Sequence, residues 1–187
     1  MDTIGYMGIV GSFSEVAARE LVKEQDMTDV RLEPMVCSQN ILDALRSGEA
    51  AYGVLGVTNT TAGPVAEFEQ AFSGVDYEVL AKYILPVHHC IFLYPGMQVG
   101  DIREIASHPQ AFGQTRHYRA NNHPAWKEHA VSDTALAAEW LAQGTLPPTT
   151  AVICSRQAGL ARNLDLIAEN VEDSPDNKTT FWLLKLK

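Results

Sequence analysis

Ile4-Gly5-Tyr6-Met7-Gly8-Ile9-Val10-Gly11-Ser12-Phe13-Ser14-Glu15-Val16-Ala17-Ala18-Arg19-Glu20-Leu21-Val22 decides the fold class. Ile4 to Ile9 reads as a short apolar strand and Gly11-Ser12-Phe13-Ser14 as a turn. Beyond it Val16, Ala17, Leu21 and Val22 fall on one side of a helix that Ser12 or Ser14 can cap. Strand, turn and amphipathic helix in that order make one βα unit, and the pattern recurs. Val30-Arg31-Leu32 leads through Ser38, read as an N-cap, into Ile41, Leu42 and Leu45 and a stop at Gly48. A third strand runs from Tyr52 to Val57.

After Gly63-Pro64 a helical stretch leads to an apolar-rich extended run, Tyr77 to Leu85, long enough to cross between two lobes. His89 to Tyr94, Ile102 to Ala106 and Thr150 to Cys154 read as strands. Helices follow Pro109 and span Ser132 to Gln143, closed by Gly144. The last strand, Thr179 to Leu186, alternates poorly, the pattern of a strand buried on both faces. Short strands interleaved with helices predict an α/β fold, not a sandwich or bundle. No repeat, low-complexity tract or long linker separates the lobes.

A chain of 187 residues with 46% hydrophobic content has room for one or two small domains with a real core. Its net charge of -9, from 14 basic and 23 acidic residues with no basic cluster, excludes nucleic acid as a partner. A small molecule is expected instead, and an anionic one must be held by local cations, hydroxyls and backbone amides. Cys37, Cys90 and Cys154 have neither disulfide-framework nor zinc spacing and are read as reduced thiols. The start of the chain lacks a basic region followed by an apolar core, and no apolar run is of spanning length. A cytoplasmic protein without membrane contact is expected.

Polar clusters fall at strand ends, where open α/β sheets bind ligands. Gly8 to Ser14 enters a helix whose amides suit a carboxylate, although an ordinary capped turn has the same residues. Thr58-Asn59-Thr60-Thr61-Ala62-Gly63-Pro64 gathers hydroxyls and an amide, equally the stuff of turns. Ser107-His108-Pro109-Gln110 precedes Gln114 on a helix, with a capping histidine as the plainer reading. Asp173-Ser174-Pro175-Asp176-Asn177-Lys178-Thr179-Thr180-Phe181 turns into a strand and delivers Asn and Thr side chains to its start.

Other signals carry less. His88-His89-Cys90 looks metal-like, but adjacent strand residues point to opposite faces, so no metal is assigned. There is no nucleophile elbow, phosphate loop or dinucleotide fingerprint. Glu67 with Glu69, and Glu172 with Asp173, read as solvated faces.

Taken in order, the clusters resemble the catalytic domain of prephenate dehydratases over nearly the whole chain. Gly8 to Ser14 is similar to the family's Gly-Pro-x-Gly-Thr-Phe-Ser block, and Gly53 to Thr61 to its Gly-Val-x-Pro-x-Glu-Asn-Ser/Thr block, with Gly63 in register. Ser107 to Ala111 with Gln114 matches Ser-His-Pro-Gln-Ala, Ser132 to Ala138 a Ser-x-Thr-Ala helix start, and Asn177 to Phe181 an Asn-x-Thr-Arg-Phe signature. Leu166 to Asp173 is also close to the family's text.

The resemblance implies a fold like type II periplasmic binding proteins, two α/β lobes with a ligand cleft between them. Lobe one would be about 1–84 plus 170–187, lobe two about 85–169, and no ACT domain is expected. It implies a lyase converting prephenate, a small anionic ring acid, to phenylpyruvate without a cofactor, as a homo-oligomer (dimer). Thr179 would be the proton donor. Asn59, Thr60, Thr61, Ser107, Gln114, Ser12 and Asn177 would hold substrate oxygens, and Phe181 would wall the cleft.

The chain departs from the family at Ile9, Gly56, Thr58 and Ala62 and, above all, at Thr180, where the family has arginine. A hydroxyl replaces neither the guanidinium's bidentate hydrogen bonding nor its charge. Two readings follow: Arg116 or Lys178 supplies the charge and prephenate remains the substrate, or the scaffold serves a related ring acid in specialised metabolism. A third class, a non-catalytic acid-binding module, shares the fold.

Overall fold

The first βα unit forms around its glycines. In the computed structural model, which describes residues 1–187, β1 (Asp2–Tyr6) ends before the apolar run does. Gly8 and Gly11 take φ of 86° and 91°, a region that suits glycine, and the chain turns there. Helix α1 (Phe13–Glu24) starts at Ser12, whose Oγ accepts the Glu15 N–H at 3.3 Å, so Ser12 and not Ser14 is the cap. After β2 (Val30–Pro34), α2 (Ser38–Ser47) has Cys37 at its N-cap. The expected cap Ser38 is the first helical residue instead. Its N–H goes to the Glu67 carboxylate at 2.8 Å, which gives Glu67 a structural partner rather than a purely solvated place. Gly48, at φ 78°, closes α2.

The chain continues through β3 (Tyr52–Asn59), β4 (Gly63–Pro64), α3 (Ala66–Ala71) and β5 (Tyr77–Pro86). Then come β6 (Cys90–Leu93), β7 (Glu104–Ser107), α4 (Pro109–Gln114), α5 (Arg116–Asn122), β8 (Lys127–Ala130) and α6 (Thr134–Ala142). The last elements are β9 (Thr150–Cys154), α7 (Arg156–Ala161), β10 (Asp165–Ala168) and β11 (Lys178–Leu186).

Two compact units result, Met1–Pro86 with Lys178–Lys187, and Val87–Asn177. The return of the chain falls at Lys178, later than the expected 170. Val171 donates its N–H to the His89 carbonyl at 3.0 Å and Asp173 to that of Gln114 at 2.7 Å, tying residues 170–177 to the second unit.

In the first unit the strand order is β2-β1-β3-β11-β5, with β4 paired to β3. β1 runs parallel to its neighbours, and β11 lies antiparallel between β3 and β5. One face of this sheet packs Ile4, Tyr6, Val54, Phe181 and Leu183 against Ala17, Ala18 and Leu21 of α1. On the other, Leu55, Val57 and Leu184 meet Ile41, Leu42 and Leu45 of α2 and Phe68 and Phe72 around α3. Each fully buried large side chain contributes roughly 1.5–3 kcal/mol of transfer free energy. Burial on both faces explains why β11 lacks alternation.

The second unit has the order β10-β6-β9-β7-β8, with β9, β7 and β8 mutually parallel and β6 and β10 antiparallel joins. Helix α6 is capped by Asp133, one residue beyond the expected Ser132 start. Its carboxylate accepts the Ala135 and Leu136 N–H groups at 2.6 and 3.2 Å. Asp133→Ala should lower stability by about 1 kcal/mol, read from the urea midpoint of the purified protein. No helix is long and apolar enough to cross a membrane.

Candidate functional site

In the first unit the hydroxyl of Thr179 is held by Asn59. Register places Thr179 directly opposite Asn59 on β3 and Leu85 on β5. Asn59 Nδ2 donates to Thr179 Oγ1 at 2.9 Å. The amide cannot turn over, because Asn59 Oδ1 accepts from Thr61 N (2.9 Å), Thr61 Oγ1 (2.7 Å) and Ala62 N (3.0 Å). Three donors on the oxygen leave the nitrogen aimed at Thr179. With its oxygen already accepting, Thr179 has its own O–H to give, and the accepted bond strengthens it as a donor. Asn59 is 4% exposed, so this pair has little competition from water.

Thr60 and Lys178 join the same frame. The Thr60 N–H donates to the Lys178 carbonyl at 2.9 Å, and the Lys178 N–H to Thr60 Oγ1 at 2.9 Å. Thr60 and Thr61 are thereby engaged in building the turn as well as flanking Asn59. Thr180 follows the strand's alternation and leaves the sheet on the opposite face, beside Thr58 and the exposed Ile84. A Cβ added at Gly56 would lie 3.3 Å from the Phe181 ring and 3.4 Å from Thr179 Cγ2, so glycine there leaves room for both.

Two expected ligand contacts in this unit belong to its frame. Phe181 is 3% exposed within the α1-facing core and walls nothing open, because alternation turns it inward with Leu183. Ser12 is buried, its hydroxyl accepting from Glu15 and lying 3.4 Å from the Met7 carbonyl to which it donates. Beside it the buried Glu15 carboxylate takes the Gly11 N–H at 2.6 Å and pairs with Arg19. Tyr6 lies in this surrounding, and burial first, then the Glu15 charge, pushes its hydroxyl up to about 12.

The second unit brings together Gln114, Asn177 and His89, which the sequence marked only as part of a metal-like run and set aside. Gln114 Oε1 accepts Asn177 Nδ2–H at 3.1 Å and lies 2.7 Å from His89 Nε2. His89 and Asn177 are both 2% exposed. Burial holds His89 below the usual histidine range, against the opposing pull of the Gln114 bond and the Glu172 charge. His88 and His89 do point apart: the exposed His88 ring meets Glu172 Oε1 through Nδ1 at 2.7 Å while the buried His89 ring meets Gln114, and the His89 backbone N–H donates to Glu172 Oε2 at 2.9 Å.

Glu172 is therefore not a solvated face, whereas Asp173 is exposed as expected. The Glu172 side chain is 4% exposed between the two histidines. Asp173 accepts the His117 and Tyr118 N–H groups at 2.9 and 3.0 Å, capping α5. Such long-range partners leave no mark in local spacing.

Ser107 departs from its expected role. It is fully buried, and its Oγ donates to the Ile153 carbonyl at 2.7 Å, fastening β7 to β9. His108 caps α4 through Nδ1, which accepts the Gln110 N–H at 3.1 Å, the plainer of the two readings. Arg116 is exposed in the first turn of α5, while Lys178 is half-buried at the start of β11.

The family model for prephenate dehydratase matches residues 4–187. Prephenate dehydratase of Lactococcus lactis subsp. cremoris is 31% identical over 182 residues, 97% of this chain and 62% of the relative. Arogenate dehydratase 4 of Arabidopsis thaliana is 31% identical over 183 residues, 97% of this chain and 41% of the relative. The prephenate dehydratase of Arthrobacter aurescens, solved in complex with L-Phe, matches 99% of this chain and 60% of its own with a TM-score of 0.87 at 25% identity. A nutrient binding protein of Burkholderia cenocepacia bound to methionine matches 97% of this chain and 84% of its own, with a TM-score of 0.56 at 15% identity, a likeness of fold alone. The fold is thus of the type II periplasmic-binding-protein kind. The chain spans 62% and 41% of the length of these two curated relatives. With the family model covering all but the first three residues, this chain belongs to the prephenate dehydratase family.

Proposed function

We propose that this chain removes water and carbon dioxide from prephenate to give phenylpyruvate. The observation that carries the reading is the Asn59–Thr179 pair, which orients a threonine hydroxyl as a proton donor in a member of this family. The ring C–O bond breaks as Thr179 passes its proton to the departing hydroxyl, which leaves as water. The bond to the ring carboxylate breaks with its electron pair moving into the ring, and carbon dioxide departs. Thr179 recovers a proton from solvent. Aromatisation supplies the driving force, so a weak acid suffices if it is well placed. Asn59 Nδ2–H stabilises the charge that grows on Thr179 Oγ1 as its proton leaves.

Gln114 is proposed to hold an acid oxygen of the substrate, and Arg116 or Lys178 to supply positive charge. Thr60 and Thr61 are proposed to contribute hydroxyls next to Asn59. The half-buried Thr180 leaves the sheet on the face opposite Thr179, which supports prephenate as the substrate despite the missing arginine, since a side chain there starts away from the proposed acid. Thr180→Arg is expected to change kcat/KM for prephenate by less than about threefold, as substitutions away from a ligand contact do. A tenfold gain would show that charge at this position reaches the ligand and that prephenate is not the chain's own substrate.

The equal identity to an arogenate dehydratase favours one second reading, that the preferred substrate carries an amino group where prephenate has a keto group. Incubation with each compound decides, with phenylpyruvate and phenylalanine as the respective products. Absence of both products would overturn prephenate and arogenate as substrates and leave a dehydratase-like enzyme acting on a related ring acid of specialised metabolism, or acid binding without turnover.

A further inference from the structure

We infer that Gly56 is a positioning residue: the space left by its missing side chain seats the γ2 methyl of Thr179 and so fixes the direction of the Thr179 hydroxyl. The inference rests on the proton-donor role proposed for Thr179. Gly56 lies inside β3, where glycine weakens a strand, and it does not take a positive φ, so its backbone conformation is open to other residues. The reason for glycine lies in what a side chain would meet. A Cβ at Gly56 would stand 3.3 and 3.7 Å from Cε1 and Cδ1 of Phe181 and 3.4 Å from Thr179 Cγ2. Register explains the approach. β11 pairs Thr179 with Asn59, Thr180 with Thr58 and Phe181 with Gly56, so β3 carries one residue more over this stretch and Val57 has no partner on β11. That bulge turns Gly56 to the face shared by Asn59, Thr179 and Phe181.

Both heavy atoms on Thr179 Cβ are thus placed. Oγ1 accepts from Asn59 Nδ2 at 2.9 Å, and Cγ2 faces the space over Gly56. Turning χ1 to either of the other staggered positions breaks the Asn59 bond. One turn sets the hydroxyl beside the apolar Phe181 ring, and the other sets the methyl against the Asn59 amide. The far side of the seat is firm. Phe181 is 3% exposed and packs with Ile4, Tyr6 and Leu183 against Ala17, Ala18 and Leu21 of α1, whereas Thr179 is half-buried at the start of its strand. A methyl added at Gly56 therefore displaces Thr179 rather than the ring. Asn59 does not follow, because its oxygen is held by Thr61 and by the Ala62 N–H. The hydroxyl then loses the direction that the amide and the methyl seat set together.

The test compares Gly56→Ala and Gly56→Val in steady-state turnover of prephenate. Alanine should lower kcat about fivefold and the bulkier valine about 10²-fold, since misplacing a reacting group by about 1 Å costs that much. KM should stay within about threefold, because the hydroxyl acts as the proton moves. The Thr179→Ser background is decisive: serine keeps the hydroxyl and has no γ2 methyl. There Gly56→Ala should change kcat by less than about twofold. Equal losses in the threonine and serine backgrounds would overturn the inference, because they would trace the effect to Phe181 or to the sheet. A readout independent of turnover is the set of three-bond couplings from Thr179 Cγ2 to its backbone N and C′, which report χ1. One staggered rotamer is expected in the native protein, and changed or averaged couplings in Gly56→Ala. Averaging in the native protein, or an unchanged rotamer in Gly56→Ala, would overturn the inference. If Thr179→Ala leaves turnover intact, the proton-donor reading fails, while the couplings still decide whether Gly56 seats the methyl.

Discussion

Replacing Thr179 by alanine is expected to lower kcat for prephenate by about 10²–10⁴-fold, the span that a positioned general acid contributes. KM should stay within a few-fold, because the proposed role of the hydroxyl comes when the proton moves. Thr179→Ser keeps the hydroxyl and should hold kcat within about tenfold, the loss reflecting freer rotation without the β-branch. Asn59 sharpens the test. Asn59→Asp leaves an oxygen to accept from Thr61 and Ala62 but removes the donor to Thr179. The new carboxylate would take the Thr179 proton for its own hydrogen bond, so the threonine points its oxygen, not its hydrogen, at the substrate. Loss in Asn59→Asp is therefore expected to approach that in Thr179→Ala, and the two together should not multiply. Product formation unchanged in Thr179→Ala would remove the threonine from the mechanism. Full activity in Asn59→Asp would remove the orienting role of the amide alone.

The order of strands and helices was legible wherever burial imposed a pattern. Residues Phe13–Glu24 carry an apolar stripe and a serine cap, and β11, sealed between β3 and β5, announces itself by its lack of alternation. β8 and β10 were not legible. Both lie at the edges of the second sheet, where Lys127-Glu128-His129-Ala130 meets no apolar requirement and Asp165 to Ala168 is too short for a period to show. The Asn59 and Thr179 pair could be singled out from side-chain chemistry and family resemblance, but their mutual bond crosses a sequence separation of 120. The same holds for Glu172, His89 and Gln114, joined across separations of 83 and 25. Composition had labelled Glu172 a surface carboxylate, and only the fold shows it enclosed. Ser107 and Phe181 failed in the other direction. Their residue types suit a ligand contact, yet strand alternation and a neighbouring carbonyl turn both into the interior.

Gly159→Ala should destabilise the protein by about 2 kcal/mol although alanine is the better helix former. Gly159 is buried in α7, and a Cβ added there would fall on three atoms of the Phe92 ring. Phe92 lies on β6 with no exposure, so its ring has no open side toward which to swing. Two terms compete. Removing a glycine from a helix gains about 1 kcal/mol, whereas displacing a close-packed aromatic costs about 1–3 kcal/mol and sometimes more. Here the whole ring edge is in the way, which puts the cost at the upper end and gives it the larger weight. The melting temperature should fall by roughly 4–8 °C, given the scale for a chain of this size. Phe92→Leu in the Gly159→Ala background separates clash from backbone effects: a smaller side chain at 92 should return part of the lost stability, even though the same change alone leaves a cavity and destabilises. Purely additive losses would show that the ring is not what the new methyl meets. Because β6 begins one residue after His89, the shift of Phe92 should also loosen the Gln114 amide. A rise in KM accompanying the lower melting temperature is the expected mark of that connection.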